Sequence, residues 1–267
     1  MRCSLFVRFL DTRQEGRVGF PTPQRRPILE CGLVAVYGQN ALMGINVRRD
    51  TDEFKQRRWR MVENQLRPRG IRQPRVIQAM LEVPREEFVP EELRNHAYDD
   101  CAEPIGDGQT ISQPFTVAFM AEQADLHGDE KVLEVGTGSG YGAAILSRLA
   151  AEVHTIERLP AFAHRAAATL HRLGITNVSV HIGDGSLGFA EQAPYDAIIV
   201  TAGAAYLPPA YAAQLVEGGR IVIPIGGFEN RQHLYCFRRH RDTLVKEYLG
   251  AFAFVPLIGD DAWQREP

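Results

Sequence analysis

The chain of 267 residues is long enough for one large α/β domain, or a domain with a small appendage, with a sizeable core. Its 45% hydrophobic and 24% charged residues suit a water-soluble globular protein, and a formal charge of −3 gives no general reason to expect nucleic-acid or membrane partners. Four widely separated cysteines (Cys3, Cys31, Cys101 and Cys236) form no C-x-x-C pair and no His/Cys cluster with zinc-ligand spacing, so no metal site is expected and reduced thiols in a cytoplasmic protein are the plain reading.

Residues 1–52 read as an N-terminal extension, irregular or disordered. Pro21, Pro23 and Pro27 beside Arg25 and Arg26 look like a linker, with one short strand over 33–37. The early apolar run is followed by Asp11 and Glu15 without a clear cleavage site and is not read as a signal peptide; no stretch approaches the ~18 apolar residues of a membrane span. From 53 to 267 the chain reads as a single domain with a helical N-terminal cover. Phe54, Trp59, Met61, Val62 and Leu66 have the spacing of an amphipathic helix that Pro68 and Gly70 end. A second helix is expected over 73–82, with Pro74 in its first turn, and further helical turns over 84–93. Gly106-Asp107-Gly108-Gln109-Thr110-Ile111-Ser112-Gln113-Pro114 then interrupts as a polar, glycine-rich loop before an apolar helix over 115–126. Ser112 lies where a serine commonly caps the free N–H groups of a first turn, which is its plain structural reading.

Beyond Gly128 strands are expected at 131–135, 152–156, 178–182, 195–201 and 220–224, with helices at 141–149, 160–173 and 207–215. Strands alternating with helices imply a Rossmann-like α/β fold with a mostly parallel sheet covered on both faces. The segments 233–238 and 243–255, joined by the polar turn His240-Arg241-Asp242, add an antiparallel C-terminal hairpin.

The most informative stretch is Lys131-Val132-Leu133-Glu134-Val135 followed by Gly136-Thr137-Gly138-Ser139-Gly140-Tyr141. Strand, glycine turn and helix present a nucleotide-like ligand at the C-terminal end of a strand, where positive φ and close approach of the main chain call for glycine. The spacing is G-x-G-x-G, and Tyr141 occupies the place of the third glycine of G-x-G-x-x-G. That argues against a pyrophosphate-binding NAD or FAD site and suits a loop wrapped around the amino acid and ribose of S-adenosylmethionine, the alternative being a plain tight turn. Glu157 closes the second strand, where a carboxylate accepts from ribose hydroxyls or caps the next helix. Asp184 in Gly183-Asp184-Gly185 reaches an adenine amino group or simply shapes a turn. Thr201-Ala202-Gly203-Ala204-Ala205 leaves room for a substrate. There is no G-x-S-x-G elbow, and the eight scattered histidines receive no role.

Taken together these motifs resemble the protein-L-isoaspartate O-methyltransferase family over roughly residues 55–257. The resemblance rests on Met61-Val62-Glu63-Asn64-Gln65-Leu66, the glycine loop, His154-Thr155-Ile156-Glu157-Arg158, Gly183-Asp184-Gly185, Pro194 to Thr201 and Gly218 to Gly226, and above all on Gln109-Thr110-Ile111-Ser112-Gln113-Pro114. It implies S-adenosyl-L-methionine as cofactor and isoaspartyl-containing proteins and peptides as partners, without nucleic acid or membrane, in a monomer. Ser112 is then the active-site residue. Gly136, Thr137, Gly138, Ser139, Gly140, Glu157, Asp184 and Gly185, with Thr110 and Ile111, bind the cofactor; Thr201, Ala202, Val255, Pro256 and Leu257 hold the substrate. A relative that esterifies normal aspartate in a biosynthetic peptide, and a non-catalytic cofactor-binding module, are the alternative readings. The resemblance fits the chemistry, because a carboxylate is ionised at neutral pH and needs no general base to become a nucleophile.

Overall fold

A computed structural model of the chain describes residues 16–19, 32–33, 51–228 and 231–264. Two short edge strands, β1 (Gly16–Gly19) and β2 (Gly32–Leu33), pair antiparallel with later strands at opposite ends of the main sheet. The rest of the expected extension, and of the strand expected over 33–37, lies outside the described residues.

Helix α1 (Asp52–Met61) starts at Thr51, whose hydroxyl accepts from Phe54 N at 3.3 Å. It runs into a π turn, Val62–Leu66, and a 3₁₀ turn, Arg67–Arg69, before Gly70 ends it at φ 96°. Met61, Val62 and Leu66 are all buried across this junction. Helix α2 (Pro74–Glu82) buries Val76, Ile77, Ala79 and Met80, one face at helical spacing. Two 3₁₀ turns, Arg85–Glu87 and Glu91–His96, complete the cover.

The polar segment expected as a loop instead forms a small hairpin, β3 (Glu103–Gly106) with β4 (Gln109–Ile111). Its turn places Gly106, Asp107 and Gly108 at positive φ. Helix α3 (Pro114–Ala124) follows, with Gln113 as N-cap and no side-chain capping bond. The reading of Ser112 as a helix cap is thereby corrected: Pro114 takes the first helical position, and its lack of an N–H removes one of the donors a cap would satisfy.

The remaining elements are β5 (Lys131–Val135), α4 (Tyr141–Leu146), β6 (Glu152–Glu157), α5 (Pro160–Arg172), β7 (Val178–Ile182), β8 (Tyr195–Val200), α6 (Pro209–Ala213), β9 (Leu215–Ile225), β10 (Gln232–His240) and β11 (Thr243–Phe252). They build a nine-stranded sheet in the order β1-β11-β10-β9-β8-β5-β6-β7-β2. Strands β9, β8, β5, β6 and β7 run parallel, while β10 and β11 form the expected antiparallel hairpin, with Arg241 of its turn at φ 53°. Helices α4 and α6 are shorter than the sequence suggests, and β9 begins earlier. Successive residues of β8 alternate between the two cores: Ala197 and Ile199 pack with α3, α4 and α5, whereas Ile198 and Val200 pack with Tyr195, Tyr211 and Leu215. Strand order reverses at β5, between β6 and β8, and that reversal opens a crevice at the strands' C-terminal ends.

Candidate active site

The crevice is a cavity of about 360 Å³. It is lined by the glycine bend after β5, by Glu157 at the end of β6 with Arg158 and Leu159, by Thr201-Ala202 after β8, and by the β4 strap, Gln109 to Ser112. The segment Val255-Pro256-Leu257 supplies the last wall.

Each glycine of the bend answers to a different constraint. Gly136 (φ 94°) has no room for a Cβ, which would collide with Thr201 Oγ1. That hydroxyl is fixed by donating to Val135 O at 3.0 Å and Gly136 O at 2.7 Å. Gly138 (φ 51°) has only Ile105 Cδ1 near the same position, at 3.8 Å, so backbone angle and open cavity alone call for glycine there. Gly140 (φ 88°) does not line the cavity; a Cβ on it would lie 3.0 Å from Ala166 Cβ, so its smallness lets α4 approach α5. Thr137 and Ser139 line the cavity as expected.

Glu157 gives α5 no side-chain cap, since the N-cap is Leu159 without such a bond, but its carboxylate is held by main-chain donors on both sides. Its Oε2 accepts from Gly138 N at 2.9 Å and its Oε1 accepts from Leu159 N at 3.0 Å, so it ties down the bend and shapes the chain entering α5. A carboxylate has about four acceptor positions, which leaves capacity for a ligand diol. Glu134, at the back of the bend, is fully buried yet also lines the cavity. Burial pushes its carboxyl up to about 8, against the opposing Thr155 hydroxyl that donates to Oε2 at 2.6 Å, and Glu157 adds to the rise. Thr155 is held in turn by Thr137 at 2.7 Å.

Asp184 stands apart from its expected place. Its Oδ1 accepts from Ser186 N (2.9 Å) and Ser186 Oγ (2.7 Å), its Oδ2 accepts from Asp260 N (2.7 Å), and it does not line the cavity. Its neighbour Gly185 does, where a Cβ would meet Ile156 Cγ2 at 3.2 Å.

Thr110, Ile111 and Ser112 all line the cavity. The Ser112 hydroxyl has no hydrogen-bond partner among the described residues, whereas its carbonyl accepts from Arg85 Nη2 at 2.8 Å. The adjacent Gln113 Nε2 donates to Asp100 O at 3.0 Å and Asp100 Oδ1 at 2.8 Å. Opposite, Gly203 N donates to Val255 O (2.7 Å) and Leu257 N donates to Gly203 O (2.8 Å), joining the two segments expected to hold substrate.

Among the lining residues that sequence reasoning missed are Asp107, Glu134, Tyr141, Arg158, Leu159 and Ile258. Arg158 and Leu159 directly follow Glu157 and were findable from the strand end. Asp107 and Ile258 come in on turns whose direction no local pattern gives. Among the described residues no group of three or more His, Cys, Asp or Glu side chains is arranged to hold a metal ion.

A bare-glycine bend beside the strand reversal, with a carboxylate closing the neighbouring strand, is the ligand site of a Rossmann-like fold, and its solved relatives make the class that of the methyltransferases. A protein-L-isoaspartate O-methyltransferase superposes with a TM-score of 0.68 at 32% identity, covering 78% of this chain and 66% of that one. A Plasmodium falciparum beta-aspartate methyltransferase solved with S-adenosyl-L-homocysteine gives 0.66 at 26% identity, covering 77% and 98%.

Within that class, the family described as protein-L-isoaspartate(D-aspartate) O-methyltransferase matches residues 56–262, and this chain belongs to it. Protein-L-isoaspartate O-methyltransferase 1 of Rhodopseudomonas palustris is 52% identical over 215 residues, covering 80% of this chain and 88% of the relative. The Roseiflexus sp. protein-L-isoaspartate O-methyltransferase is 53% identical over 198 residues, covering 74% and 90%.

Proposed function

We propose that this chain transfers the methyl group of S-adenosyl-L-methionine to the free α-carboxylate of L-isoaspartyl residues in damaged proteins and peptides, the step that starts their repair. Family membership supports the reaction. The observation that carries the site assignment is Ser112, which lines the same cavity as the glycine bend and whose hydroxyl has no hydrogen-bond partner among the described residues.

The residues present fit the cofactor. The space where a Gly138 Cβ would sit is open, Glu157 offers acceptors for a diol, and the buried Glu134 carboxyl faces the same cavity without a cation beside it. When bound, S-adenosylmethionine supplies a methyl carbon made electrophilic by its sulfonium. The chain's own residues then have two tasks, which are alignment and exclusion of water. Ser112 orients the acceptor by donating one hydrogen bond to a carboxylate oxygen, leaving the other oxygen to attack. Gly203 and the 255–257 segment, locked together, form a rigid wall for the peptide, and Thr110 and Ile111 cover the cofactor from the strap. No residue need act as base.

The proposal includes a cytoplasmic monomer. Among the described residues Cys236 forms no disulfide, and no helix is long and apolar enough to cross a membrane. Size-exclusion chromatography with light scattering tests the monomer. The activity itself is tested with labelled donor and an isoaspartyl peptide: a base-labile methyl ester is expected on that peptide and not on its normal aspartyl counterpart. Equal labelling of the two peptides would remove the substrate assignment.

A further inference from the structure

The guanidinium of Arg85 sits directly behind the β4 strap and is the most deeply buried cation of the cover, with 0% of the residue exposed. Its Nε donates to Ala97 O at 2.6 Å and its Nη2 to Ser112 O at 2.8 Å. The guanidinium lies 4.8 Å from the ring centroid of Tyr141, the first residue of α4 after the glycine bend. One planar group therefore touches the cover, the strap and the helix that carries the bend. Nη1 is buried without a partner.

For stability alone this is a poor arrangement. Among the described residues no carboxylate accepts from Arg85; the neighbouring Glu86 is engaged by Arg58 Nη2 at 3.3 Å and by the Tyr98 hydroxyl. Burial lowers the pKa of the guanidinium, opposed by Tyr141, Tyr98, Glu103 and Cys101. A buried charge is costly unless its surroundings compensate it, and here, among the described residues, only two carbonyls and a ring face do so directly. What an apolar side chain cannot supply is a rigid fork reaching two carbonyls at once. The side-chain bond from Gln113 to Asp100 lies on the exposed side, and the pairing of β4 with β3 ends at Ile111, before Ser112.

We infer that Arg85 is a positioning residue for methyl transfer: it holds the backbone at Ser112 so that the serine hydroxyl faces the acceptor carboxylate. The inference rests on the function proposed above. It does not require Arg85 to touch either ligand, and Arg85 does not line the cavity.

A double-mutant cycle tests it, with turnover, donor affinity by calorimetry and thermal unfolding measured for each protein. Arg85→Lys keeps the charge but cannot reach both carbonyls, and a misplacement of about 1 Å can cost about 100-fold, so a kcat loss of about 10- to 100-fold is expected, with donor affinity nearly unchanged. In the Ser112→Ala background the same substitution should cost less than about twofold, because the group it positions is gone. Arg85→Met, which removes the buried charge and keeps the apolar stem, runs the same cycle should the lysine variant fail to fold. Equal losses in both backgrounds, or losses that follow only the folded fraction, would overturn the inference. If the unmutated protein binds donor but makes no ester on the isoaspartyl peptide, the functional reading fails first and takes this inference with it.

Discussion

Ser112→Ala separates a catalytic hydroxyl from a structural one, and the geometry sets both magnitudes. A helix-capping serine replaced by alanine costs typically about 1 kcal/mol. In a domain of this size that is about 2–4 °C of melting temperature. Here the cap is Gln113, and the Ser112 hydroxyl has no partner among the described residues, so stability should change by less than about 0.5 kcal/mol. A hydrogen bond to a charged group contributes about 1.5–3 kcal/mol. At about 1.4 kcal/mol per tenfold, its loss in the transition state corresponds to about a 10- to 150-fold fall in kcat. Donor affinity should stay nearly constant, because the hydroxyl is assigned to the acceptor. Three measurements decide: ester formation on an isoaspartyl peptide, calorimetric titration with the donor, and thermal unfolding. A melting temperature lowered by several degrees with unchanged turnover per folded molecule would refute the reasoning, as would a loss of donor affinity equal to the loss in kcat.

The bend glycines should respond differently. Gly138→Val places a branched side chain in the open cavity and should abolish measurable donor binding by calorimetry, a larger effect than the roughly 1–2 kcal/mol of left-handed backbone strain explains. Gly140→Ala presses on Ala166 and should lower stability in denaturant by about 1–3 kcal/mol while the folded protein still binds donor. Glu134 gives a pH signature. With its carboxyl raised from 4.5 to about 8 in the folded state, the native chain holds a proton the unfolded chain has lost, so this residue makes stability fall as pH rises through that window. His154 and His181, both lowered by burial, act in the opposite sense below 6.5 and are neutral in both states well above it. Denaturant unfolding of the ligand-free protein at pH 7 and pH 8 should therefore show falling stability that Glu134→Gln flattens; an unchanged slope would contradict the assignment. Glu86→Ala leaves Arg58 buried without its carboxylate and should cost about 3–5 kcal/mol in the same assay.

What the sequence made legible is what local chemistry alone decides. Strands β5 and β7 are found at their expected bounds, as short runs of apolar character stopped by glycine, and α2 begins one residue later than expected, at Pro74. Ser112, Glu157 and the 255–257 segment were all expected at the site, and one cavity gathers them. The errors fall where a distant partner decides. Three glycines look alike in sequence, yet Gly136 is constrained by Thr201 and Gly140 by Ala166, while only Gly138 is left to the ligand. Asp184 reads as a cofactor contact until the chain near Asp260 folds back and takes one of its oxygens. Arg85 carries no motif at all; its importance appears only when Ala97, Ser112 and Tyr141 converge on it.

The distribution of charge around the cavity explains why that arginine sits behind the strap. The donor is a cation, and Glu157 lies on the side of the bend, with the Glu134 carboxyl, which burial keeps largely protonated at neutral pH, also lining the cavity. The acceptor is an anion that must remain nucleophilic, and the strap that faces it, Gln109-Thr110-Ile111-Ser112, is uncharged throughout. A guanidinium forked directly onto that carboxylate would grip it more tightly but would occupy the oxygens that have to attack, stabilising the ground state more than the transition state. Directing the Arg85 fork onto backbone carbonyls keeps its rigidity and gives the acceptor only a hydroxyl. The positive charge then acts through geometry, one residue removed from the reacting atoms.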